Sequence, residues 1–147
     1  FDRLVRAVDT WAEIHTDENI MGQIGPASYR PRNFQSMEFL SHEEYRRLLS
    51  TCTLVVAHAG MGAIISALGA GKPILVMPRK SVFREHRNDH QLATAEAFEK
   101  RGFVHVAHDA ASLQLKLDAR RNLEPPLPIS PGASTELIET IRGFISE

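Results

Sequence analysis

A single cysteine, Cys52, excludes an internal disulfide. A chain without a disulfide framework is expected in a reducing compartment such as the cytoplasm. Flanked by Thr51 and Thr53, Cys52 reads as a small core residue. The chain also lacks a surplus of either charge, with Lys plus Arg at 17 against 18 for Asp plus Glu, a net charge near -1. A nucleic-acid backbone demands net or clustered positive charge, so no nucleic acid is expected as a partner. No apolar run reaches the roughly 18 residues needed to span a bilayer. The longest mostly apolar stretch, Leu54 to Ala70, is interrupted by His58, Ser66 and several glycines. Phe1-Asp2-Arg3-Leu4 has neither the charged start nor the apolar middle of a signal peptide. Walker loops, Gly-x-Ser-x-Gly and paired cysteines are absent as well.

What remains has the size and composition of one soluble domain, 147 residues with 43% apolar side chains. Leu4, Val5, Val8, Trp11, Ala12 and Ile14 recur at three- and four-residue spacing and predict an amphipathic helix with Trp11 as its core anchor. Asn19 to Gly25 reads as a short strand. The segment 28–33 reads as a loop, and Met37 to Leu40 as a second short strand. Ser41-His42-Glu43-Glu44 is a capping box opening a helix that carries Tyr45, Leu48 and Leu49 on one face. Leu54 to Ala57 and Pro73 to Pro78 are continuous apolar runs, expected of strands covered on both faces. Helices are predicted over Gly62 to Leu68, Asn88 to Lys100 and Ala110 to Leu117, and a strand over Phe103 to Val106. A proline-rich crossing (Pro125, Pro126, Pro128, Pro131) and a helix from Ser134 to Ile145 complete the chain. Strands alternating with helices mean βαβ units, so the expected fold is α/β, a single Rossmann-like parallel-sheet sandwich over residues 1–147.

Two stretches carry chemistry. His58-Ala59-Gly60-Met61-Gly62 leaves a buried strand, turns and enters a helix. Unpaired N–H groups and the dipole at such a helix start suit a phosphate or pyrophosphate, and Gly60 and Gly62 allow close approach to the backbone. A plain strand-to-helix turn would use the same glycines. The second stretch, Pro78 to Gln91, follows the next buried strand and shares its edge with the first. Arg79, Lys80, Arg84 and Arg87, with Glu85, Asn88, Asp89, His90 and Gln91, offer the donors and acceptors of a site for a polyhydroxylated ligand; a solvated charged loop is the bland alternative. His86 and His90 have the spacing of metal ligands on a helix but lack the Glu of the zinc-protease pattern, so no metal is expected.

Together with Ala67-Leu68, Gly71-Lys72-Pro73 and Val76-Met77-Pro78-Arg79, these stretches resemble the donor-binding half of family-28 glycosyltransferases. The likeness is greatest to short members that form the catalytic half of a split N-acetylglucosaminyl- or glucosyl/glucuronosyl-transferase. Phe1 to Val5, Gln23-Ile24-Gly25 and Tyr29-Arg30-Pro31 fit that subgroup too, so the resemblance runs over about residues 1 to 107. It implies half of a GT-B fold that holds a UDP-sugar, with His58, Ala59, Gly60, Met61 and Gly62 at the diphosphate and Asp89, His90 and Gln91 at the sugar hydroxyls. Arg79 and Asn88 border the same donor site. It further implies a lipid-linked sugar acceptor, a membrane-anchored partner subunit that binds it, and a location peripheral to the membrane through that partner. Transfer inverts the anomeric centre and uses no cofactor or metal held by Asp-x-Asp. His58 is the candidate catalytic residue.

The chain differs from the family pattern in two places. The strand and Gly-Thr turn that usually precede the first helix fall outside a sequence starting at Phe1. Ser66 stands where the family places a Glu whose carboxylate accepts from both ribose hydroxyls. The expected function is therefore the donor-binding subunit of an inverting hexosyltransferase in glycolipid or exopolysaccharide synthesis. A non-catalytic sugar-nucleotide-binding regulator or scaffold, and an epimerase-like half, are the alternatives.

Overall fold

The computed structural model describes residues 1–126, 138–139 and 141–143. Most of the expected final helix, with Pro128 and Pro131, lies outside the described residues. In chain order the elements are α1 (Asp2–Ile14), β1 (Met21–Gln23), β2 (Gln35–Met37), α2 (His42–Thr51), β3 (Val55–His58), α3 (Met61–Gly69), β4 (Ile74–Met77), α4 (His90–Lys100), β5 (His105–Val106) and α5 (Ala110–Asp118). Short 3-10 turns follow β4 and α5, at Ser81–Phe83 and Arg120–Asn122. The α/β reading with βαβ units holds.

Among the described residues all the strand pairs are parallel, but they form two sheets. β1 pairs with β2, and β3, β4 and β5 pair in that order. Alternation along β4 explains the layering. Ile74 and Val76 point to one face, where Ile64, Ala67 and Leu68 of α3 and Ala95 and Phe98 of α4 complete a core. Leu75 and Met77 point to the other, against Ala7 and Trp11 of α1 and Leu113 and Leu117 of α5. A strand sealed on both faces needs apolar residues at every position, which is why β4 shows no period-2 pattern. β3, read as equally buried, is only half-buried at all four positions. Among the described residues it pairs on one side alone, which leaves its other edge open.

Local signals place the helices. Ser41 and Glu44 form the capping box: the Glu44 N–H donates to Ser41 Oγ at 3.2 Å and the Ser41 N–H to Glu44 Oε2 at 3.0 Å. Gly71, at φ +63, ends α3 in a left-handed conformation that costs glycine little. β2 starts two residues earlier than its sequence suggested, since the register with β1 sets Met21 opposite Gln35. The N–H of Leu40 is taken instead by the Gln23 side chain, 3.1 Å away. Cys52 is half-buried at the end of α2 rather than in the core; its thiol bonds the Leu49 carbonyl, and burial raises its pKa. No helix among the described residues is long and apolar enough to cross a membrane.

Candidate functional site

Parallel pairing of His58 with Met77 sets the carboxyl ends of β3 and β4 side by side. The 58–61 turn and the 78–89 connection therefore open on the same sheet edge, as the sequence implies. That edge is where open parallel sheets bind ligands.

At its centre the amide of Gln91, itself buried, bridges both loops. Gln91 Oε1 accepts the Arg79 N–H at 3.0 Å, which orients the amide so that Nε2 donates to His58 Nδ1 at 3.3 Å. His58 thus keeps its proton on Nε2. Burial, then the charge of Arg79, pushes its pKa down to about 4, so the ring is neutral at physiological pH. The ring lies so close to Gly60 that a Cβ there would sit 2.1 Å from His58 Cε1. Gly60 is thus required by the protein's own histidine. A Cβ added at Gly62 would meet nothing within 4 Å, so the helix start stays open on that side. Gly60 caps α3 without a side-chain bond, so the first N–H groups of the helix, at Met61, Gly62 and Ala63, have no acceptor within the helix.

The 78–89 connection is a tied turn. Both Asp89 oxygens accept from Ser81, from its N–H at 2.8 Å and from Oγ at 3.0 Å, and these bonds hold the carboxyl below its usual pKa. Asp89 is therefore used in shaping the loop, and α4 begins at His90, later than the expected Asn88. Asn88 accepts weakly from the His90 N–H at 3.4 Å and faces His86. Ser66 is half-buried on the same helical face as the exposed Gly62, Ile65 and Gly69, and its hydroxyl bonds no described residue. Ala59, at 2% exposure, packs into the core instead of facing solvent.

Two clusters carried no sequence signal. Arg3 reaches from α1 to Glu85, with Nε–Oε1 at 2.8 Å and Nη2–Oε2 at 2.9 Å, and Nη2 also donates to the Pro78 carbonyl at 2.8 Å. Burial alone would raise the Glu85 pKa, but the Arg3 bonds and the Lys80 N–H outweigh it. Glu85, read as a ligand acceptor, is committed to this clamp. The other is Asp9, 2% exposed on α1. It accepts from Tyr29 Oη at 2.5 Å and from the N–H groups of Arg32 and Asn33 at 3.0 and 2.8 Å. These bonds outweigh its desolvation and lower its pKa. Their partners lie 20 or more residues away, so only the fold brings them together. An open hollow of about 370 Å³ lies beside Arg79, lined by Phe1, Pro26, Arg84 and Glu85 among others. A larger one of about 720 Å³ lies between α1 and the 28–33 loop, away from the glycine turn. Among the described residues no group of three or more His, Cys, Asp or Glu could hold a metal ion.

The glycine turn, its buried glutamine and the whole sheet fall within one family match. Residues 1–125 match the glycosyltransferase family 28 C-terminal domain. The chain belongs to that family. It is 32% identical over 106 residues to the UDP-N-acetylglucosamine transferase subunit ALG13 of Cryptococcus neoformans, covering 71% of this chain and 48% of that protein. The ALG13 subunit of Eremothecium gossypii is 27% identical over 118 residues, covering 78% and 56%. The chain thus spans about half the length of these relatives. Among solved structures, the glycotransferase of kitacinnamycin superposes with a TM-score of 0.56 at 21% identity, over 96% of this chain and 35% of that one. SnogD from Streptomyces nogalater gives 0.50 at 24%, over 99% and 35%. The fold of this family-28 domain is that of one part of a GT-B glycosyltransferase, as the sequence resemblance implied.

Proposed function

We propose that this family-28 domain binds the UDP-sugar donor of an inverting glycosyltransferase, and that a membrane-associated partner subunit supplies the half that holds a lipid-linked sugar acceptor. The observation that carries the reading is the neutral His58, fixed by Gln91 with its Nε2–H available beside the open start of α3. Those N–H groups and the helix dipole suit the donor diphosphate. The family's ALG13 relatives are, by name, subunits of a UDP-N-acetylglucosamine transferase.

In the reaction the acceptor hydroxyl oxygen attacks the anomeric carbon while the bond to the diphosphate oxygen breaks, leaving UDP with the electron pair. Charge grows on the leaving oxygen, where the α3 N–H groups, His58 Nε2–H and Arg79 stabilise it. His58 acts in this scheme as a hydrogen-bond donor. Its free ring nitrogen already carries the proton, so the base that takes the acceptor proton comes from the partner half. Ser66 faces the ribose, with Asn88, Asp89 and His90 toward the sugar.

A strand between β1 and β3 belongs to the same proposal. Both strands leave one edge unpaired among the described residues, while Ile20, Leu54 and Val56 pack partly against the core shared by α1 and α5. The helices of β3-α3-β4-α4-β5 lie on the opposite face from α1. A right-handed crossover through α1 into β1 therefore starts from a strand beside β3.

The test is hydrogen exchange with UDP at millimolar concentration, expected to protect residues 57–63 and 88–92. His58, titrating near pH 4 when free, should shift upward with UDP bound because a nearby diphosphate favours the imidazolium. Unchanged exchange in both segments would overturn the donor assignment.

A further inference from the structure

The turn between β4 and α4 holds two apolar side chains out in water. Val82 is 77% exposed and Phe83 55%. The bonds that keep them there are numerous: beside the Ser81–Asp89 pair, the Lys80 N–H donates to Glu85 Oε2 at 3.0 Å and the Arg84 N–H to the Ser81 carbonyl at 2.8 Å. Arg84 adopts φ +56, a left-handed conformation that bulky residues rarely take. Beneath the turn, Arg3 grips Glu85 and lies against the Phe83 ring, 5.1 Å from its centroid. The tip is thus braced outward rather than folded back onto the domain.

Charge around the tip is one-sided. Across Arg3 and residues 79–89 five cations accompany two carboxylates, in a chain with a net charge of -1. Of those carboxylates, Glu85 is paired with Arg3 and Asp89 is bonded to Ser81. Lys80, Arg84 and Arg87 form no ion pair with a described residue, although Lys80 lies within electrostatic reach of Asp89 and Asp109. A convex apolar point ringed by cations matches the interfacial zone of a bilayer: apolar side chains enter the headgroup boundary and cations meet lipid phosphates.

We propose that the Val82–Phe83 tip docks on the surface of an anionic phospholipid bilayer, with Lys80, Arg84 and Arg87 against the headgroups. Docking in this way turns the sheet edge that carries His58 and Gln91 toward the membrane. The contact requires neither nucleotide nor partner subunit, so it stands apart from the donor assignment.

Flotation of the 147-residue chain with vesicles tests it, using phosphatidylcholine alone and phosphatidylcholine mixed with phosphatidylglycerol. The chain should float with the mixed vesicles at low salt, stay behind with the neutral ones, and be released as salt rises. Lys80→Gln combined with Arg87→Gln should weaken binding about 25-fold, about fivefold for each cation. Val82→Glu should weaken it at least about tenfold by removing an inserted apolar group. Should Val82→Glu lower the melting temperature, Val82→Trp provides the opposite sign and should strengthen binding severalfold. Equal binding to both vesicle types, binding to neither, or Val82 variants that float like the unaltered chain would overturn the proposal. UDP titration of the same samples keeps the two readings apart: an unaltered chain that binds UDP but no vesicles overturns the tip proposal alone, and one that binds vesicles but no UDP overturns the donor assignment alone.

Discussion

The four residues of β4 are completely sealed from water, whereas no residue of β1, β2 or α2 is buried. The two regions have similar ingredients, parallel strands flanked by helices, yet only one makes a dry core. β4 has a strand on each side and a pair of helices on each face. The β1–β2 sheet has one pair of strands, with Met21 and Met37 partly open to solvent on one face and Phe34 over Gly22 on the other. Apolar patterning thus supplies surfaces for burial, but burial requires that every edge and face find a neighbour. α1 joins the regions, packing Trp11 into the core while Asp9 fastens the connection between β1 and β2.

Substitution in each region should break the comparison most sharply. Phe98→Ala empties a fully buried site and is expected to cost about 3–5 kcal/mol, while Leu48→Ala on the half-buried face of α2 should cost under about 1.5 kcal/mol. Urea denaturation measures both, and equal losses would mean that α2 is packed as tightly as the core.

The junction comes next. Asp9→Ala strands the Arg32 and Asn33 N–H groups and the Tyr29 hydroxyl, at about 2–3 kcal/mol. Because Asp9 is depressed in the folded state, its stabilisation is present above the unfolded carboxyl pKa, about 3.9, and is lost as pH falls through the lower folded value. Stability measured from pH 6 to 2 should therefore decline less steeply in Asp9→Asn than in the unaltered chain.

Within the site, the two glycines separate packing from ligand approach. Gly60→Ala collides with His58 and should destabilise by about 1–3 kcal/mol, weakening UDP binding as the ring moves. Gly62→Ala meets open space and should leave the melting temperature unchanged or slightly higher, so a loss of UDP affinity there would mark direct backbone approach by the ligand. The smallest effect is at Ser66. A carboxylate on ribose hydroxyls gives charge-assisted bonds of about 1.5–3 kcal/mol against roughly 0.5–1.5 for a neutral hydroxyl. Ser66→Glu should thus tighten UDP binding about fivefold by calorimetry, and unchanged affinity in a normally folded variant would place the ribose elsewhere.

Sequence alone determined the elements whose causes are local: the Ser41–Glu44 box, the glycine that stops α3, the unbroken apolar run of β4, and the turn from β3 into α3 that marks the family. These follow from propensities and periods acting over a few residues, so they are legible in order along the chain. Tertiary structure decided what else the polar side chains of the site do. Asp89 and Glu85 look like free acceptors in the sequence, and in the fold both brace the 78–89 connection, Asp89 through Ser81 and Glu85 through Arg3. Gln91, which the resemblance sets at the sugar, also fixes the proton position of His58, 33 residues away. Arg3 and Glu85 are separated by 82 residues, and Asp9 meets Tyr29, Arg32 and Asn33 across 20 to 24. Pairing over such distances is governed by how helices pack on sheets, a global outcome that no local pattern encodes.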